Sequence, residues 1–252
     1  MFLCRDCKKH RAKRPDCQLV PPDSILRQNT EEGCGMNTLI NRDPRKLIIC
    51  LTDLRSEDTA GLTESAAGRL LLARALGDYL GRTPSAEELA GQSKSANGKP
   101  FFPAYPDFHY NISHSGDYVV CAYSAQPIGI DIQQIPDKAR RVSSIAGHFF
   151  SDREVAALQD LPDFEMRRLF TRFWTSRESY IKLTGRGLAE PFKSFYPDLS
   201  AGKIYSDNEC GREIYITECK APEGYCMSTC SYMPIERIVW RCFPSEDIVF
   251  SS

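Results

Sequence analysis

Gly116–Pro127, GDYVVCAYSAQP, comes back near the end of the chain as Gly224–Pro234, GYCMSTCSYMP. Both runs open on a glycine, fill with apolar, aromatic and β-branched residues and stop at a proline, the pattern of a buried strand between turns. Each follows a helical stretch and a turn-rich segment. Two similar α+β halves in one chain account for the echo; so does chance likeness between two apolar strands.

Outward from these runs the chain reads as alternating strands and helices. KLIICLTDL (46–54) is a short β-branched run, hence a buried strand. TESAAGRLLLARALGDYLG (63–81) has Thr63 as N-cap, an apolar stripe of Leu70, Leu71, Ala73, Leu76 and Leu80, and Gly81 as its stop. PSAEEL starts a short helix, and SANGKPFFPAYPDF is a loop. YNISHSGDYVVCAYS and PIGIDIQQI read as two strands joined at Gln126–Pro127, with Ser113–Ser115 in a polar turn entering the first. FFSDREVAAL (149–158) carries a capping box, Ser151 with Glu154 three residues on. A long helix over roughly 163–184 is closed by Gly185 and Gly187, and short strands follow from 190. The expected organisation is an unstructured tail over 1–45, an N-terminal half over 46–140 and a C-terminal half over 141–252.

The chain has 252 residues and a net charge of −1, so no global field steers it toward nucleic acid or an anionic membrane. No apolar run is long enough to cross a membrane as a helix. MFLCRDCKKHRAKRP lacks a signal-peptide core, and the eleven cysteines read as reduced thiols of a cytoplasmic protein. Cys4, Cys7, His10 and Cys17 are too cramped for a standard zinc finger. Met36, just before the first strand, is an alternative translation start.

Three segments hold chemistry. In IGIDIQQI, alternation sends Ile128, Ile130 and Ile132 one way and Gly129, Asp131 and Gln133 the other. A carboxylate there is solvated, paired or metal-bound; Asp131 and Gln133, about 7 Å apart along the strand, offer hard oxygens suited to Mg²⁺, and Gly129 leaves room for a ligand. A half-exposed strand with polar residues facing water is the alternative. In FWTSRESYIKLTGRGL (173–188), Trp174, Glu178 and Lys182 recur at four-residue spacing. Glu178 and Lys182 make either a surface ion pair or a metal ligand beside a phosphate-neutralising ammonium. In NISHSGDY, hydroxyl, imidazole and amide groups can meet an anion; Lys99 of NGKP sits on a loop held by Gly98 and Pro100, with a solvated turn lysine as the alternative.

The ordered series GKP, NISHSGDYVVCAYS, PIGIDIQQI, FFSDREV and FWTSRESYIKLTGRGL resembles the 4′-phosphopantetheinyl transferases of the Sfp type over residues 46–235. The resemblance implies two similar α/β halves related by a pseudo-twofold axis, with coenzyme A and Mg²⁺ between them. It implies transfer of phosphopantetheine from coenzyme A to a serine of an acyl- or peptidyl-carrier protein, releasing 3′,5′-ADP, as in a holo-acyl-carrier-protein synthase. Asp131, Gln133 and Glu178 would hold the metal. Lys182 would stabilise the pyrophosphate, and Glu154 would be the general base. Lys99, Ser113, His114, Asp131, Lys182 and Arg69 would contact coenzyme A, while Trp174 would pack. Gln133 stands where the family usually has Glu, which predicts weaker Mg²⁺ affinity. Arg177 replaces a usual Lys, and the first helix region offers only Arg55 and Arg69 to phosphates. A cytoplasmic monomer is expected, with no nucleic-acid or membrane partner and with Arg167–Arg186 complementing an acidic carrier. The competing readings are a non-catalytic module binding coenzyme A or carrier protein, and a regulatory protein using its N-terminus for zinc or nucleic acid.

Overall fold

Leu47, Ile49 and Leu51 point to one side of the first strand and Ile48 and Cys50 to the other, and all five are buried. A strand buried on both faces must lie inside a layered molecule. The computed structural model describes residues 42–187, 190–209 and 211–243. The tail, the Cys4–Cys17 group and Met36 lie outside them.

In chain order the first elements are β1 (Lys46–Asp53), α1 (Glu64–Leu80), α2 (Ala86–Ala90), β2 (Ser93–Lys94), β3 (Pro100–Phe101), β4 (His109–Ser115), β5 (Tyr118–Ser124) and β6 (Ile128–Gln134). Then come α3 (Ala139–Phe149), α4 (Asp152–Leu158), α5 (Asp163–Thr184), β7 (Phe195–Asp198), β8 (Lys203–Ser206), β9 (Ile214–Cys219), β10 (Tyr225–Ser231) and β11 (Arg237–Phe243). The helix ends obey the caps read from sequence. Thr63 accepts a hydrogen bond from Ala66 N, Ser151 forms its capping box, and Gly81 and Gly185 close α1 and α5 in the left-handed conformation; Ser85 adds a capping box at α2.

One sheet has the order β11-β1-β5-β4 and the other β6-β10-β9-β8-β7. Helix α1 covers the outer face of the first sheet, packing Leu71, Leu72, Ala75 and Leu76 against Ile48, Cys50, Val119 and Tyr123. The inner face meets the second sheet, Leu47, Ile49, Leu51 and Val120 against Ile128, Ile130, Ile132 and Met227. Helix α5 covers the far side of the second sheet through Tyr180, Ile181 and Leu183. Four layers result: helix, sheet, sheet, helix. The pairing β1-β5-β4 recurs as β6-β10-β9, each with a helix between its first two strands in sequence. The echoed runs, β5 and β10, hold the same middle place in the two sheets.

The structure departs from expectation in three places. Gly116, at φ 55°, turns the chain so that the expected single strand becomes the hairpin β4–β5, and Ser113–Ser115 lie in a strand rather than a turn. Helix α3 was not foreseen: its N-cap Lys138 makes no capping bond, and the helix is held by Val142 and Ala146 against Phe170, Phe173 and Trp174. A boundary at residue 140 also does not separate the sheets, because β11 lies parallel to β1 in the first. The six cysteines among the described residues are free, and no described helix is long and apolar enough to cross a membrane.

Candidate active site

The site begins with a missing side chain. A Cβ on Gly129 would collide with Ser179 O and Leu183 N of α5 and lie 3.0 Å from Lys182 C. Glycine therefore lets β6 and α5 touch backbone to backbone. The space expected for a ligand beside Gly129 is taken by the helix, which corrects that reading.

Two residues on, Asp131 points the same way and is 1% exposed. Lys182 Nζ donates to Asp131 Oδ1 at 2.6 Å and to Ser113 Oγ at 2.8 Å, while Ser113 Oγ donates to Asp131 Oδ1 at 2.7 Å. Gln133 Nε2 donates to Asp131 Oδ2 at 3.2 Å. Glu178 lies one turn before Lys182. Burial first, then the charge of Asp131, pushes its carboxyl above the usual carboxylate range, while Lys182 opposes that shift. Two carboxylates and one ammonium thus converge between β6 and α5.

Strand β4 locks this arrangement from the other sheet. Asn111 Oδ1 accepts from Ile130 N at 2.9 Å, Ser113 Oγ from Ile132 N at 3.3 Å and Ser115 Oγ from Gln134 N at 3.0 Å. β6 ends its sheet, so side chains two residues apart satisfy the donors that a neighbouring strand would otherwise take. The signal was present as N-x-S-x-S at strand period. Ser113 is 4% exposed with its hydroxyl engaged three ways, to Asp131, Ile132 N and Lys182.

Other expected site residues lie apart from this group. Lys99 Nζ donates to Ile128 O at 2.8 Å and Leu183 O at 3.0 Å, and burial pulls its pKa down to about 8. His114, on the opposite face of β4, sits 3.0 Å from Glu64 at the start of α1. Arg69 is exposed on α1 and donates to Ser65 Oγ at 2.8 Å. Trp174 stacks on Phe170 and Phe192 in an aromatic cluster.

Glu154 does not stand as a free base. Ser151 N and Oγ donate to Oε2 at 2.9 and 2.6 Å, Arg177 Nε donates to Oε1 at 2.8 Å, and Arg177 Nη2 also donates to Oε2. Arg177 is wholly buried, between the rings of Phe150 and Phe195, and also donates to Phe192 O at 2.5 Å. The guanidinium fork suits this two-oxygen grip in a way an ammonium does not. Glu154, expected as the general base, is thus held in a buried ion pair with Arg177, whose side chain is itself fully enclosed.

The basic stretch is largely neutralised within the fold. Arg167 pairs with Asp163, Arg172 with Glu218, Arg177 with Glu154, Lys182 with Asp131, and Arg186 with Glu190 and Glu209. Arg168 alone of the six carries no ion pair with a described residue.

Among the described residues no three His, Cys, Asp or Glu side chains cluster as metal ligands. The oxygens that this convergence offers are those of Asp131, Glu178 and the Gln133 amide. Paired carboxylates crowded at low exposure, with hard oxygens only, fit a Mg²⁺ ion that draws further ligands from water or phosphate.

Comparison with known proteins bears on the same residues. The model of the 4′-phosphopantetheinyl transferase superfamily matches residues 127–230, from β6 through α5 to β10. The chain is 37% identical over 167 residues to a 4′-phosphopantetheinyl transferase of Bacillus subtilis, covering 63% of this chain and 73% of that one. It is 37% identical over 145 residues to the 4′-phosphopantetheinyl transferase Sfp of Bacillus subtilis strain 168, covering 54% and 61%. To the transferase gsp of Aneurinibacillus migulanus it is 39% identical over 140 residues, covering 55% and 56%, so the last two matches span less than two thirds of those proteins. The chain belongs to the 4′-phosphopantetheinyl transferase family.

Proposed function

We propose that this protein moves 4′-phosphopantetheine from coenzyme A to a serine of an acyl- or peptidyl-carrier protein, releasing 3′,5′-ADP. The observation that carries the reading is the convergence of Asp131, Glu178 and Lys182 where Gly129 lets β6 meet α5. Asp131, Glu178 and the Gln133 amide would hold Mg²⁺, which when bound neutralises pyrophosphate charge and polarises the phosphorus under attack. The serine hydroxyl gives its proton to solvent as its oxygen bonds to the phosphorus bearing the pantetheine arm, and the bond from that phosphorus to the oxygen of the departing 3′,5′-ADP breaks, the electron pair leaving with that oxygen. Lys182, a quarter exposed and already beside Asp131, meets the negative charge that builds on the leaving phosphate. Ser113 holds Asp131 in place, so that carboxylate does not have to reorganise. His114 and Arg69, both exposed near the start of α1, are assigned to the phosphates of the nucleotide. The protein is read as a cytoplasmic monomer.

One observation favours a second reading. Position 133 carries an amide without a carboxylate's charge, and its nitrogen is turned to Asp131 while its oxygen accepts from Ser115 Oγ at 3.5 Å, as suits a module that binds coenzyme A without turnover.

Intact-mass spectrometry of an apo carrier protein incubated with the enzyme, coenzyme A and Mg²⁺ tests both. A gain of one phosphopantetheine that disappears with EDTA and with Glu178→Ala is expected. No gain across acyl- and peptidyl-carriers, with coenzyme A still binding by calorimetry, would leave the binding module as the correct reading.

A further inference from the structure

Lys99 is half-buried with no ion pair to a described carboxylate, and its ammonium sits between two elements that carry the site. One acceptor, Ile128 O, lies at the start of β6, three residues before Asp131. The other, Leu183 O, lies in the last turn of α5, next to Lys182 and five residues after Glu178. A carbonyl at a helix C-terminus has no intrahelical donor and carries the negative end of the helix dipole, so a cation there is doubly favoured. The loop bearing the lysine is shaped for this. Gly98 takes φ 81°, Ser95 Oγ accepts from Lys99 N at 3.1 Å and Ser95 N donates to Lys99 O at 2.9 Å. The lysine stem also packs against the helix stop, since a Cβ on Gly185 would lie 3.3 Å from Lys99 Cβ.

We infer that Lys99 is a positioning residue that clamps the start of β6 to the end of α5 and so fixes Asp131 against Glu178 and Lys182, rather than a ligand of the coenzyme A phosphates. Gly129 permits the two backbones to touch, and Lys99 bonds them at the mouth of that contact. Only the kinetic arm of the test rests on the transferase reading; the structural arm does not.

Lys99→Met keeps the apolar stem and removes every donor. Hydrogen exchange followed by mass spectrometry is expected to show faster exchange in peptides covering residues 128–131 and 181–185. With coenzyme A as substrate, kcat should fall about 10- to 100-fold, the scale of a small misplacement of reacting groups. KM for coenzyme A should stay within about twofold, and the preference for coenzyme A over 3′-dephospho-coenzyme A should not change, because no phosphate contact is lost. A raised KM for coenzyme A alone, a lost preference over the dephospho form and unchanged exchange would overturn the clamp and make Lys99 a phosphate ligand. If wild type transfers nothing, the transferase reading fails separately and exchange alone decides. If Lys99→Met does not fold, Ser95→Ala loosens the same loop with the amine retained; faster exchange in the two peptides supports the clamp, and exchange equal to wild type refutes it.

Discussion

Gly129→Ala adds one methyl group at the closest approach between β6 and α5. The new carbon would sit inside the van der Waals shells of Ser179 O and Leu183 N and 3.0 Å from Lys182 C. These are backbone atoms inside a helix and cannot swing aside. To regain the 3.4 Å of ordinary contact, α5 must retreat from β6 by more than about 1 Å, opening the packing of Tyr180, Ile181 and Leu183. Overpacking of this kind costs about 1–3 kcal/mol and sometimes more; the backbone character of the clash puts it near 3 kcal/mol. At roughly 2–4 °C per kcal/mol for a chain of this size, Tm should fall by about 6–12 °C. Glu178 and Lys182 move with the helix away from Asp131, so transfer should drop on the order of 100-fold in whatever fraction remains folded. Urea unfolding and the intact-mass assay measure the two effects side by side. A variant as stable as wild type to within about 0.5 kcal/mol, the scatter of neutral surface changes, and within twofold of its rate would mean that the glycine does not set the helix–strand distance. The account of the site would fall with it.

Arg177→Met leaves Glu154 as a buried, unpaired carboxylate and should cost about 3–5 kcal/mol; the double variant with Glu154→Gln should recover a substantial part, and purely additive losses in urea unfolding would show that the pair is not coupled. Glu178→Gln removes a carboxylate that burial and Asp131 disfavour, so it should raise Tm in Mg²⁺-free buffer while transfer falls about 100-fold, a divergence read by calorimetry and intact mass. Gln133→Glu should lower the Mg²⁺ concentration giving half-maximal transfer and, without metal, lower Tm, since a third carboxylate then faces Asp131; an unchanged Mg²⁺ requirement would exclude position 133 from the metal site. Burial holds Lys99 at about 8, below its ordinary 10.5, so between these values the unfolded chain binds more protons than the folded one. The stability of wild type relative to Lys99→Met should therefore rise with pH from about 8 to 10.5, and a flat difference in urea midpoints across that window would contradict this environment for the amine.

What sequence alone could show was decided by how local the signal is. Thr63, Ser151, Gly81 and Gly185 act within one turn, and the helix ends fell where they said. The alternation in IGIDIQQI correctly sent Asp131 away from the isoleucines, yet no period says what it faces. That depends on a helix much further along the chain, and the same ignorance made Gly129 look like room for a ligand. Glu154 and Arg177 lie on different helices, and the sequence presents each alone, one as a base and the other in place of a usual lysine; only their meeting between Phe150 and Phe195 makes them one buried pair. Gly116 was read as part of a strand because apolar residues continue beyond it. Helix α3 escaped notice because packing, not a cap or a strong local propensity, holds it.

The pairing of β1 with β11 joins Lys46 to Arg237, so the earliest described strand waits for the latest one. During synthesis β1 can find β5 once the hairpin is made, but its other edge stays bare until Arg237–Phe243 has left the ribosome. β6, made in the middle, has by then been committed to the opposite sheet. The first sheet cannot be finished from one stretch of chain, since β11 follows all the strands of the second, so a nascent first half exposes an open strand edge and an apolar inner face together. Contacts this distant in sequence are slow to form. The vulnerable moment in folding is therefore the interval before β11 arrives to cover the edge of β1.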